Sequence, residues 1–132
     1  MNARELMVKA ERAMESARLL LDAGDADGAC NRAYYAMFDA ARAALLASKA
    51  PVATEVARTH GGLISAFSLH LVKTGLIPVG LGRTLNRAEE IRLIADYRGD
   101  PIERDMAVWV VEQAEAFVQE IRTKFIDNSD PN

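Results

Sequence analysis

Apolar residues recur along this chain at steps of three and four, the spacing that lines them up on one side of a 3.6-residue helix. From about Ala3 to Ala23, Leu6, Ala10, Ala13, Met14, Ala17, Leu20 and Leu21 share one face, with Lys9, Arg12, Glu15 and Asp22 turned away from it. Gly24 ends this helix, because glycine accepts the left-handed conformation that closes one, and Asp25 caps the next. Two long helices joined by so short a turn pack antiparallel. The second helix, running to about Lys49, is the one the rest of the chain is organised around. Tyr34, Met37, Phe38, Ala41, Ala44 and Leu45 make its core stripe. Arg32, Tyr35, Asp39 and Arg42 recur at the same steps on a second side, which reads either as a solvated face or as one that meets a ligand or partner.

Pro51 forbids helix at the residue before it, and 50–57 is a loop or a short irregular helix. A third helix starts near Thr59 and runs to Gly75, with Leu63, Ile64, Phe67, Leu71 and Thr74 inward. Gly61 and Gly62 weaken its first turn and leave room for another backbone. After a connector at 76–79, a fourth helix spans about Gly80 to Arg98. Leu81, Leu85, Ala88, Ile91 and Ala95 form its core stripe, and Glu89, Arg92 and Asp96 sit together on the adjoining face. Gly99 closes it. Asp100-Pro101-Ile102-Glu103 then reads as a helix start, with Asp as the cap, Pro at the first helical position and Glu at the third. The fifth helix reaches about Asp127, with Ala107, Val110, Ala114, Phe117, Ile121 and Phe125 inward. Met106 to Val111 is apolar on every side, as a turn covered by this bundle or by a second copy would be, and Trp109 is its natural anchor. The expected fold is an all-α antiparallel bundle of four to five helices, one domain over 1–127 followed by a disordered tail at 128–132.

Composition sharpens this picture. Half of the 132 residues are hydrophobic but only 6% are aromatic, and alanine dominates, which favours close-packed helices over sheets. A formal charge of −3 argues against a surface that attracts nucleic acid everywhere. The single Cys30 excludes an internal disulfide, and with no apolar leader segment it points to a reducing, cytoplasmic setting. No apolar run approaches the ~20 residues that cross a bilayer, so no membrane partner is expected.

Neither His60 nor His70 has a carboxylate three residues before it, and phosphate-loop and zinc-protease spacings are absent, so no metal or cofactor is expected. Arg92 and Asp96 lie one turn apart and Tyr97 adds a hydroxyl. A guanidinium held by a carboxylate can grip phosphate, although the same spacing also makes an ordinary surface ion pair. His60, at a helix start, reads as tied to a backbone group or as a general base, and His70 reads as structural. Arg83 and Arg87 form a basic strip that Glu89 and Glu90 partly cancel.

The stretch Arg32-Ala33-Tyr34-Tyr35-Ala36-Met37-Phe38, the helix opening Thr59-His60-Gly61-Gly62, and Arg92 to Tyr97 ending Ala95-Asp96-Tyr97 together resemble the HEPN domain. This is the "higher eukaryotes and prokaryotes nucleotide-binding" fold, and the likeness is to a small prokaryotic branch whose motif ends Ala-Asp-Tyr. The resemblance implies a helical homodimer in a setting near nucleotides. Many members partner minimal nucleotidyltransferases in toxin–antitoxin pairs. Others are metal-independent ribonucleases in which an Arg is followed by four to six residues and then a His, contributed by both subunits at the dimer cleft. Carried across, Arg92 takes the arginine position. No His follows it, Asp96 and Tyr97 stand in that neighbourhood, and His60 could complete the pair from another helix.

The function this implies is a module of a toxin–antitoxin or defence system, binding or cleaving RNA or binding a nucleotide at a dimer cleft through Arg92, Asp96 and Tyr97. The alternative is a non-catalytic protein that partners a minimal nucleotidyltransferase. A third reading is a helical dimer whose polar face only pairs, and burial of Arg92 in an internal ion pair would favour it.

Overall fold

A computed structural model describes residues 1–127, so the expected disordered tail at 128–132 lies outside the described residues. Helix α1 (Ala3–Asp22) opens on a reciprocal cap: the Asn2 side chain accepts from the Glu5 N–H, and the Glu5 carboxylate accepts from the Asn2 N–H, each at 2.8 Å. Gly24, at φ 87°, closes it, and the Asp25 N–H reaches back to the Leu20 carbonyl at 2.8 Å. Asp25 then caps α2 (Ala26–Ala47) by accepting from the Gly28 N–H, as its place in the sequence predicts.

The second helix is central in fact as well as in pattern. All six residues of its expected stripe are buried, and so are Ala29, Ala33, Ala36, Ala40 and Ala43 on its other sides. It packs against α1, α4, α5 and α6, and the alanines let those neighbours come close. Its end is less conventional. Lys49 takes the left-handed position at φ 58°, and the Ala50 N–H closes onto the Leu45 carbonyl at 3.1 Å, a closure usually built on glycine.

Residues 50–57 resolve into a loop and a single turn, α3 (Thr54–Ala57). Helix α4 (His60–Phe67) is capped by Thr59, whose hydroxyl accepts from the Gly62 N–H at 3.0 Å, and it widens into a π-helical turn over Ser68–Val72. Thr74 is exposed instead of inward, because its hydroxyl turns back to donate to the His70 carbonyl at 2.8 Å. At Gly62 a Cβ would run into the Val56 carbonyl oxygen and the Thr59 hydroxyl, so another backbone does approach there; Gly61 faces open space. Across the core, the rings of Phe67 and Phe117 stack at 5.6 Å between α4 and α6.

Helix α5 (Val79–Leu93) continues as a π-helical turn over Ile94–Arg98 and stops at Gly99, φ 73°. The start signal at Asp100 is overturned, since α6 (Arg104–Ile121) begins at Arg104 with Glu103 as its cap residue and no side-chain cap bond. The reason is tertiary. The Ile102 N–H donates to the Asp27 carboxylate at the start of α2, at 2.9 Å, and the Ile102 side chain packs on the core, which keeps this stretch out of the helix. A last π-helical turn covers Arg122–Asp127. In the all-apolar turn Ala107, Val110 and Val111 are buried, while Trp109 stays 39% exposed. Ion pairs Arg18–Glu115 and Arg122–Glu11 fasten α6 to α1. All elements of the described residues are helical, and no helix among them is long and apolar enough to cross a membrane.

Among the described residues, two charged side chains sit inside this packing, Asp39 and Arg92. Asp39 is 6% exposed, and burial pushes its carboxyl above the usual carboxylate range, opposed by Lys9, Arg42 and Arg32. The folded state therefore holds this proton to a higher pH than the unfolded chain does. Its contribution to stability is full below the unfolded value of about 3.9 and is lost as pH rises through the folded value. Asp39→Asn should accordingly melt above wild type at pH 7 and coincide with it below about pH 4, by circular dichroism; a lower melting point at pH 7 would contradict this. In the first turn of α4, Gly61→Ala should stabilise by about 1 kcal/mol, whereas Gly62→Ala should destabilise by roughly 1–3 kcal/mol in urea titrations.

Candidate functional site

The π-widened end of α5, the start of α4 and the middle of α2 meet in one polar cluster. Arg92 is 5% exposed. Its Nη1 donates to Asp96 Oδ2 at 2.8 Å and its Nη2 to Glu89 Oε1 at 3.2 Å, the one-turn spacing that put the three on one face. The guanidinium carbon lies over two rings of α2, 5.1 Å from the centre of Tyr34 and 5.8 Å from that of Tyr35. Burial alone would lower the pKa of this arginine; Glu89 outweighs it, with help from Tyr35 and Asp96, and holds it above the ordinary value.

His60 arrives from α4 at the same carboxylate. Its Nδ1 lies 2.8 Å from the Tyr34 hydroxyl and 3.6 Å from Glu89 Oε2, so Glu89 stands between the arginine, to which it is hydrogen-bonded, and the histidine, which lies in ion-pair range only. The imidazole is boxed by the rings of Phe38, Tyr34 and Tyr35 at 5.3, 5.6 and 5.8 Å, yet its side chain stays 39% exposed. Tyr34 is fully buried, and burial, reinforced by the adjacent Glu89, raises its phenol well above the usual range. It therefore stays a neutral hydroxyl, hydrogen-bonded to His60 Nδ1 at 2.8 Å. Glu89 Oε2, Arg92 Nε and Arg32 Nε are buried with no hydrogen-bond partner among the described residues. Spare capacity of this kind is uncommon in a packed interior and concentrates where proteins bind or react.

The structure thus brings Arg92, Asp96 and His60 together. It leaves Tyr97 out of this group's core, 77% exposed at the helix end. Of the second side of α2, Tyr35 joins the cluster and Arg32 lies over the Tyr35 ring at 5.3 Å. Arg42 approaches Asp39 at 3.8 Å further along, and Asp39 is covered by the chain itself instead of forming an open face. Tyr34 was legible only as core, because its ring fills the stripe while its hydroxyl alone reaches the site. Among the described residues no three metal-ligating side chains gather.

This arrangement can be set beside known proteins. The profile of the HEPN domain matches residues 3–124. A UPF0332 protein of Gloeobacter violaceus is 40% identical over 95 residues, covering 72% of this chain and 71% of that protein. A UPF0332 protein of Thermotoga maritima is 33% identical over 92% of each chain. A Methanocaldococcus jannaschii protein named "Putative toxin" is 32% identical, covering 86% of this chain and 81% of its own. The helical bundle, the order of its three motifs and these matches lead to one conclusion: this chain belongs to the HEPN domain family.

Proposed function

We propose that this chain is a toxin-like module of a toxin–antitoxin or defence system that acts on RNA as a homodimer, with its chemistry at the cluster of His60, Glu89, Arg92 and Asp96. The observation that carries this reading is the placing of Glu89 between Arg92, hydrogen-bonded at 3.2 Å, and His60, whose Nδ1 lies 3.6 Å away. A histidine that the sequence does not supply after Arg92 is supplied in space by α4. Two relatives named "Putative toxin" point the same way.

Arg92 is too buried to grip a phosphate directly and serves as a positioning residue. It holds Asp96 directly and His60 through Glu89, and these two side chains reach solvent, at 35% and 39% exposure. Metal-independent RNA cleavage needs a group to take the proton of a 2′-hydroxyl and a group to return one to the departing 5′-oxygen. In the tautomer whose Nδ1–H donates to the Tyr34 hydroxyl, His60 has a bare Nε2 to offer as the base, and histidine is the residue type suited to such transfers near neutral pH. The neighbouring Tyr97 is the candidate for the second transfer, its hydroxyl carrying the proton that the ion-paired carboxylate of Asp96 lacks. The burial of Arg92 in ion pairs with Glu89 and Asp96 favours the third reading above, a helical dimer whose polar face only pairs, and the second reading is a non-catalytic protein that partners a minimal nucleotidyltransferase.

Expression of the chain alone should arrest bacterial growth, and His60→Ala and Arg92→Ala should relieve the arrest. In vitro, with a chelator present, wild-type protein should cleave single-stranded RNA, and His60→Ala should be slower by roughly 100-fold or more. A chain that is silent alone, leaves RNA intact and co-purifies with the nucleotidyltransferase of a neighbouring gene would select the second reading.

A further inference from the structure

Further along the same side of α2, the chain forms a second concavity. A pocket of about 180 Å³ lies between the end of α2 and the one-turn helix α3, with Leu45, Leu46 and Val52 as its apolar wall and Arg42, Arg58 and Met1 at its polar rim. The rim is cationic. Arg58 is exposed and pairs with no carboxylate among the described residues, and Arg42 meets Asp39 only at 3.8 Å, beyond hydrogen-bond distance. No acidic residue lines the pocket. Guanidinium groups left without bonded carboxylates beside an apolar wall suit an anion carried on a flat or apolar body.

The pocket also neighbours the site along the chain. Arg58 stands two residues before His60, on the turn that leads into α4, and Arg42 lies on the stripe of Arg32 and Tyr35. At 1.5 Å per residue, Arg32 and Arg42 are about 15 Å apart along α2, with the His60–Glu89–Arg92 cluster beside Tyr35 between them. A single strand laid along this side would pass the cluster and reach the pocket within a few nucleotides. The left-handed turn at Lys49 helps to shape this end of α2, since it returns the Ala50 N–H to the Leu45 carbonyl and the Val52 N–H then bonds the Ala50 carbonyl.

We infer that the pocket between α2 and α3 is a phosphate subsite, in which Arg42 and Arg58 hold a phosphate group while Leu45, Leu46 and Val52 receive the attached nucleoside. The inference rests on the proposed action on RNA and deepens it, because it places a binding contact outside the reacting cluster. The phosphate can belong to a free nucleotide or to an RNA strand, and the two sources are separated by measurement.

Fluorescence anisotropy with a labelled single-stranded RNA, competed with AMP and with inorganic phosphate, tests this on the full chain. Arg58→Glu should weaken RNA binding at least tenfold, and Arg58→Gln should lower the slope of log affinity against log salt by about 0.7, the value for one lost phosphate contact on a single strand. Arg12→Glu, on the exposed outer side of α1, should reproduce neither effect. Competition by AMP as effective as by RNA identifies a free nucleotide as the source, and RNA tighter by tenfold or more identifies a strand. Equal losses for Arg58→Glu and Arg12→Glu, or no binding of RNA, AMP or phosphate by wild type, would overturn the subsite. Growth arrest relieved by His60→Ala but unchanged by Arg58→Glu, with RNA affinity also unchanged, would remove the subsite and leave the proposed function standing.

Discussion

A guanidinium taken out of water has to be met by opposite charge, and that requirement organises the functional end of this molecule. Arg92 lies almost wholly under the surface, between two tyrosine rings of α2 and two carboxylates of its own helix. An isolated charge at such a depth costs several kcal/mol, so the pairing with Glu89 and Asp96 is a condition of folding this way. Because Glu89 turns its other oxygen toward His60, the same pairing that keeps Arg92 buried also fixes where the imidazole stands. Stability and site geometry are one interaction here.

The rest of the bundle makes that interaction possible. Alanines on several sides of α2 let four other helices close around it, which brings α4 and α5 onto the one stretch that carries Tyr34, Tyr35 and Phe38. The aromatic rings then do two jobs, filling the core and walling the imidazole. At the other end of the same stripe the helix closes through Lys49 instead of glycine, and the chain turns back to form a concave, cationic rim.

How much of this could be read from the chain depended on the range of each interaction. The helices, the core stripes apart from Thr74 and the stops at Gly24 and Gly99 are local matters of period and backbone preference, and they stand where the sequence places them. The start of α6 was misplaced because a contact 75 residues away, Asp27 to the Ile102 amide, overrides a local cap signal. Likewise, the i,i+4 spacing of Arg92 and Asp96 showed that the two could pair but not how deeply, since depth is set by α2 and α4. The meeting of His60 with Glu89 has no signature in spacing at all, and Tyr34 hides its role behind an ordinary core position. Three helices also widen into π-helical turns at their ends, which no periodic pattern announced.

The site rests on the buried pairing of Arg92 with Glu89. Urea unfolding of wild type, Glu89→Gln, Arg92→Met and the double variant measures it directly. Each single change leaves a buried charge unmatched and should be costly, while the double change should recover part of the loss, giving a coupling energy of roughly 1–3 kcal/mol. Losses that simply add, to within about 0.5 kcal/mol, would mean that the pair is a surface ornament and that the site is not built around it.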